Sequence, residues 1–141
     1  IHDLNTVSLR YFNVYGEGAP TEGAYCLVIG KFTNQKQSGQ NLTIYGDGTQ
    51  KRDFTYVQDV VRANFLAFES DKNFNGEVFN VGSGENCSVQ EIADVFGHPC
   101  DYLPPVIEPK ISLAKNEKAK NELGWEPTEN VLRWLAKHLQ Q

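Results

Sequence analysis

Two polar side chains stand where they could grip an anionic ligand. Asn13 follows the strand-like run Leu9-Arg10-Tyr11-Phe12, at the point where a chain leaves a sheet, and that is where α/β proteins place ligands. Its amide offers two donors and an acceptor, a set that suits a diphosphate or a sugar hydroxyl. The same residue type also makes turns unaided, which is the alternative here. Arg52 is a planar fork able to hold phosphate oxygens two at a time, as its neighbour Lys51 cannot. The alternative for Arg52 is a surface pair with Asp47 or Asp53. Gly46-Asp47-Gly48 lies just before it, and Gly-x-Gly without a third glycine is a sign of a turn more than of a phosphate cradle.

Other chemistries find little support. The three cysteines, Cys26, Cys87 and Cys100, are odd in number and lack Cys-x-x-Cys spacing, and His2, His98 and His138 are scattered. Neither a zinc site nor a disulfide framework is expected, and a reducing, cytoplasmic setting fits. With 13 Lys and Arg against 18 Asp and Glu the net charge is −5, so nucleic acid is not an expected partner. No apolar run approaches the roughly 20 residues of a membrane span, and no signal peptide is recognised.

The elements that must position these residues read as α/β. Thr6–Phe12 is rich in β-branched and aromatic residues and runs into a loop from Gly16 to Gly23. Apolar spacing predicts a helix over Ala24–Gln37, stopped by Gly39. Leu42–Tyr45 is a short strand and Arg52–Val57 an extended segment. Gln58–Glu69 is a helix with Asp59 in its first turn, where the dipole favours an acid. Glu77–Val81 is a strand, and Ser88-Val89-Gln90-Glu91 is a capping box opening a helix that Gly97 stops. Pro99, Pro104, Pro105 and Pro109 argue against regular structure between them. Asn116–Leu123 is a helix ended by Gly124, and Thr128 is placed as the cap of a last helix carrying Val131, Leu132, Trp134 and Leu135 inward. At 141 residues one core is expected. With so few strands, either the chain belongs to a larger sheet, or its strands pair as a small α+β domain or across a homodimer through exposed edges.

Three blocks together carry a resemblance: Leu9-Arg10-Tyr11-Phe12-Asn13-Val14-Tyr15-Gly16, Ile44-Tyr45-Gly46-Asp47-Gly48 and Arg52-Asp53-Phe54-Thr55-Tyr56-Val57. They resemble the substrate-binding half of the NAD-dependent nucleotide-sugar epimerases and dehydratases, within the extended short-chain dehydrogenase/reductases. The resemblance runs from about residue 6 to the end, where Leu123-Gly124-Trp125 followed by Glu126-Pro127 is similar to the family's structural C-terminal block. It implies that Asn13 and Arg52 contact the diphosphate of a UDP-sugar and that Phe12 lies beside the nicotinamide of NAD. The backbone of Thr43, Ile44 and Tyr45 would pack on the uracil, and Asp53 would be structural. Val28 would touch base or sugar, with core packing as its alternative. Asn80-Val81-Gly82-Ser83-Gly84 is similar to a structural marker. Val106 stands where many relatives carry a second phosphate-binding Arg. Lys110 would substitute for it as a point charge or stay solvated, and the small Ser112 would leave room for an N-acetyl group.

The same resemblance defines what is missing. None of Tyr11, Tyr15, Tyr25, Tyr45, Tyr56 and Tyr102 has a lysine four residues on, and no glycine-rich dinucleotide turn occurs. The family needs both, since a tyrosine helped by that lysine takes the hydroxyl proton while NAD takes hydride. The expected fold is therefore the last Rossmann strands plus a small mixed α/β lobe, with residues 1–141 forming one C-terminal substrate-binding region and the NAD-binding half absent. No catalytic residue and no tightly bound NAD are expected on this chain. The implied parent reaction is C4 epimerisation of a UDP-sugar by transient oxidation, similar to UDP-glucose 4-epimerases. The alternatives are a sugar-nucleotide dehydratase or decarboxylase, or a non-catalytic nucleotide-binding or interaction module.

Overall fold

The computed structural model describes residues 4–140; Ile1, His2, Asp3 and Gln141 lie outside the described residues. Eight strands and five helices are interspersed along them, in keeping with the α/β reading, and gather around two cores.

The first core is built from α1 (Val28–Gln37), β3 (Leu42–Tyr45), α3 (Val89–Phe96), β8 (Cys100–Leu103) and α5 (Val131–His138). Strand β3 pairs parallel with β8, Leu42 opposite Cys100 and Tyr45 opposite Leu103. Its alternation is that of a half-buried strand: Leu42 and Ile44 are fully buried, whereas Thr43 is partly covered and Tyr45 exposed. Phe32 of α1 meets Phe96 of α3 edge to face at 5.7 Å. Helix α3 starts with the expected capping box, Ser88 Oγ accepting from the Glu91 N–H while the Glu91 carboxylate accepts from the Ser88 N–H. It stops at Gly97 in the left-handed conformation.

The second core lies around β1 (Val7–Tyr11) and β6 (Glu77–Val81), a parallel pair in which Val7 faces Glu77 and Tyr11 faces Val81. Helix α2 (Val57–Glu69) and helix α4 (Glu117–Leu123) contribute to it, and Trp125 is fully buried in it, donating its indole N–H to the Asp59 carbonyl at 2.8 Å. Between the cores, β4 (Lys51–Asp53) pairs antiparallel with β7 (Asn86–Ser88), and β5 (Thr55–Tyr56) pairs parallel with β2 (Val14–Tyr15).

Four expectations need correction. Helix α1 begins at Val28 rather than Ala24. The Cys26 N–H closes a turn on the Gly23 carbonyl, and Leu27 is held extended at φ −81°, ψ 172°. The proline-rich stretch contains β8, because Cys100–Leu103 lies between Pro99 and Pro104 and keeps the N–H groups a parallel neighbour needs. The segment Arg52–Val57 is two strands with different partners, parted at the buried Phe54, and its last residue already starts α2. The last helix is capped by Asn130, whose Oδ1 accepts from the N–H groups of Leu132 and Arg133. Thr128 is unavailable, since its N–H and hydroxyl both bind the Asp59 carboxylate, at 2.8 and 2.7 Å.

Candidate functional site

Asp53 is the joint on which the candidate residues hang. It is fully buried at the end of β4, and its carboxylate accepts four hydrogen bonds. These come from the N–H groups of Ser83, Gly84 and Ala114 and from the Ser83 hydroxyl, at 2.7–3.0 Å. A carboxylate so fully partnered is a stable buried group, and Asp53 has the structural role implied for it. Gly82 is required beside it: a Cβ there would come within 2.3 Å of the Ala114 Cβ. Ser112 belongs to the same knot, its hydroxyl accepting from the Asp53 N–H at 3.3 Å.

Asn13 reaches this joint from 40 residues away, donating its amide N–H to the Asp53 carbonyl at 2.7 Å. Its own carbonyl accepts from the Thr55 N–H at 3.2 Å. The two bonds hold Asn13 at φ 24°, a conformation unusual for a residue other than glycine. One N–H and the amide oxygen have no protein hydrogen bond among the described residues. Arg52 directly precedes Asp53, but its guanidinium and the Asn13 amide line different pockets. Arg52 pairs with neither Asp47 nor Asp53. Its guanidinium, 15% exposed, donates to Glu108 at 2.5 Å and to the Lys51 carbonyl at 2.8 Å. Asp47 instead closes the turn, accepting from the Thr49 hydroxyl and N–H, which hold its carboxyl below the ordinary range.

A cleft of about 550 Å³ opens beside Asn13, lined by Tyr11, residues 14–20, Ala24, Tyr25, Leu27 and Val57. Gly30 lets the loop lean on α1, since a Cβ there would come within 2.2 Å of the Pro20 carbonyl oxygen. Leu27 is the N-cap of α1, and no side chain caps that end and no acid sits in its first turn, so its free N–H groups favour an anion. Leu27 and Tyr25 were not singled out in the sequence. Their one signal is that large apolar side chains precede a helix start without a capping residue.

The other predicted residues are spread around this centre. Val28 is partly buried and packs against the first core, which is its alternative reading, and it does not line the cleft. Thr43 is bonded through both its N–H and its hydroxyl to the Gln35 side chain, and the Tyr45 carbonyl accepts from Gln50 at 2.9 Å. Lys31 lies 4.9 Å from the Tyr45 ring centre. Phe12 donates its N–H to the Val81 carbonyl and packs over Gly82. Arg52 itself lines a separate, smaller pocket shared with Glu85, Glu91 and Glu129.

Two buried groups are poorly suited to proton transfer or attack near neutral pH. Burial, and then Glu91 and Asp53, push the Cys87 thiol up to about 12. Burial, and then Glu129 and Asp59, push the Tyr15 phenol well above its ordinary value, and its buried hydroxyl has no hydrogen-bond partner among the described residues. Among the described residues no cluster of His, Cys, Asp or Glu is placed to hold a metal ion, and no helix is long and apolar enough to cross a membrane.

Comparison with known proteins gives this geometry a family. The chain is 34% identical over 148 residues to a putative UDP-glucose 4-epimerase of Methanocaldococcus jannaschii, an alignment covering 96% of this chain and 47% of that protein. It is 43% identical over 93 residues to a UDP-N-acetyl-alpha-D-glucosaminuronate decarboxylase of Bacillus cytotoxicus, covering 66% of this chain and 28% of that one. Among solved structures, a UDP-N-acetylglucosamine 4-epimerase from Methanobrevibacter ruminantium in complex with UDP-N-acetylmuramic acid superposes with a TM-score of 0.85 at 32% identity, covering 97% of this chain and 46% of that chain. The chain thus spans less than half the length of the relatives it matches. The profile described as the NAD dependent epimerase/dehydratase family matches residues 2–82, and the chain belongs to that family.

Proposed function

We propose that this chain is the nucleotide-sugar-binding region of an NAD-dependent UDP-sugar epimerase, with the diphosphate held by Asn13 and Arg52. The observation that carries the reading is Asn13, held on the Asp53 carbonyl with its second N–H unpartnered among the described residues, in a cleft that the uncapped start of α1 also lines. The amide and the free helix N–H groups share one cleft, and the Arg52 guanidinium lines a separate pocket one residue before Asp53; each is a donor suited to phosphate oxygen. Thr43, Ile44 and Tyr45 present the backbone for the uracil and Phe12 one wall for the nicotinamide, whereas Val28 packs against the first core. The parent reaction is C4 epimerisation by transient oxidation, for which the cofactor and the acid/base come from a second lobe. Residues 1–141 by themselves are inactive: turnover of UDP-sugars with added NAD above a heat-killed control would overturn this.

The second lobe is supported by what the chain leaves uncovered. Strand β1 has β6 as its one strand partner among the described residues, whereas parallel sheets are normally covered on both faces. Val61, Phe65 and Phe68 form an exposed apolar stripe along α2. A homodimer through the β1 edge is the competing occupant. The free cysteines Cys26, Cys87 and Cys100 accord with a reducing cytoplasm. A decarboxylase is the second reading of the parent, favoured by the 43% identity to one; loss of carbon dioxide from a UDP-hexuronic acid by the completed enzyme would establish it.

Titration of UDP by NMR tests the site. Arg52→Ala is expected to weaken binding by about ten- to a hundredfold, the worth of a lost charge-assisted contact, while Lys51→Ala changes it little. Equal losses would reduce Arg52 to a surface charge, and undiminished binding by Arg52→Ala would remove the diphosphate assignment.

A further inference from the structure

Every residue from 101 to 111 is exposed, yet the segment following β8 is not free. It is pinned at one end by the Gly46 N–H on the Leu103 carbonyl, 2.9 Å, and at the other by the Lys51 N–H on the Lys110 carbonyl, 2.8 Å. Between these pins its side-chain hydrogen bonds all go to Glu108. One carboxylate oxygen accepts from Arg52 at 2.5 Å and the other from the Gln50 amide at 3.3 Å. Apolar packing does not hold the tip, since Val106 is 51% exposed and Ile107 wholly so. The middle of the segment is therefore latched by one carboxylate, and that carboxylate occupies the guanidinium proposed to grip phosphate.

A carboxylate and a phosphate offer the Arg fork the same pair of oxygens, so only one of them can hold this face of it at a time. We propose that Glu108 is a built-in competitor for the diphosphate. It keeps Arg52 ordered and charge-paired in the empty site, and a UDP-sugar must displace it, which unlatches residues 104–110. The inference rests on the reading of Arg52 as a diphosphate ligand. It adds a residue that sets affinity and a segment whose position reports occupancy.

The test is a UDP titration followed by backbone NMR in wild type, Glu108→Gln, Arg52→Ala and the double variant, with circular dichroism confirming that each is folded. Glu108→Gln is expected to bind UDP up to about fivefold more tightly, the upper range for a partly exposed ion pair. In the Arg52→Ala background the same change should have no effect, and UDP should move the amides of Ile107 and Glu108 in wild type. Unchanged affinity in Glu108→Gln would make Glu108 a bystander, and weaker binding would make it a ligand contact; either overturns the competitor. If Arg52→Ala binds as tightly as wild type, or no form binds at millimolar UDP, the diphosphate reading falls and takes the competitor with it. Weakening by Arg52→Ala with no gain from Glu108→Gln overturns the competitor alone.

Discussion

The β3–β8 pair and the β1–β6 pair are both two-stranded and parallel, but they are finished to different degrees. Around β3, two side chains are fully buried, and α1, α3 and α5 close the first core over them. In β1 no residue is buried: Val7 and Leu9 are partly covered, and Ser8, Arg10 and Tyr11 are exposed. The second core is well packed on its β6 side, where Phe79, Val81 and Trp125 are fully buried. It is open toward β1 and α2. A parallel strand with no buried residue lacks the cover that such strands normally have. The β3 side thus satisfies itself, while the β1 side is left uncovered among the described residues.

Phe32→Ala should have the largest effect on this contrast. Removing a fully buried ring between α1 and α3 costs about 3–5 kcal/mol, to be read from urea unfolding. A loss below about 1 kcal/mol would mean the first core is not the closed one. The opposite result is expected on α2. Phe65→Ser with Phe68→Ser should change stability by no more than about 0.5 kcal/mol per site, because these rings are 60% and 86% exposed. The same pair should reduce self-association in sedimentation velocity at high concentration. A large loss of stability there would show that the stripe is already covered within the chain. The smallest effect belongs to the α3 cap. The Ser88 N–H, and then its hydroxyl, hold the Glu91 carboxyl below its ordinary value of 4.5. Its folded value lies below its unfolded one, so its contribution is present above the ordinary carboxyl range and is lost as pH falls through the folded value. Glu91→Gln should therefore flatten the acid side of the stability–pH profile slightly; an unaltered slope would show that this cap does not titrate with folding.

Features set by neighbours in sequence were legible beforehand. The capping box at Ser88 and Glu91, the stops at Gly97 and Gly124, the alternation of Leu42–Tyr45 and the turn at Asp47 each involve groups a few residues apart. Their geometry follows from local hydrogen bonding and side-chain period. Failures came where a distant partner claimed the residue. Thr128 looked like a cap, but Asp59, 69 residues earlier, takes both its donors. Cys100–Leu103 was hidden among prolines, and it is a strand because Leu42–Tyr45 presents an edge to it.

The sequence by itself determined the family, through three spaced blocks, and the chemistry on offer at Asn13 and Arg52, because donor type and charge are properties of the side chain. Only the tertiary structure decided how these donors are used. Asn13 was drawn onto the Asp53 carbonyl, Arg52 was paired with Glu108 across 56 residues, and Leu27 and Tyr25 were set in the cleft while Val28 turned to the core. Side-chain chemistry is written residue by residue, whereas a buried carboxylate such as Asp53 must collect its donors from wherever the packed chain brings them, since unpaired burial is too costly to persist.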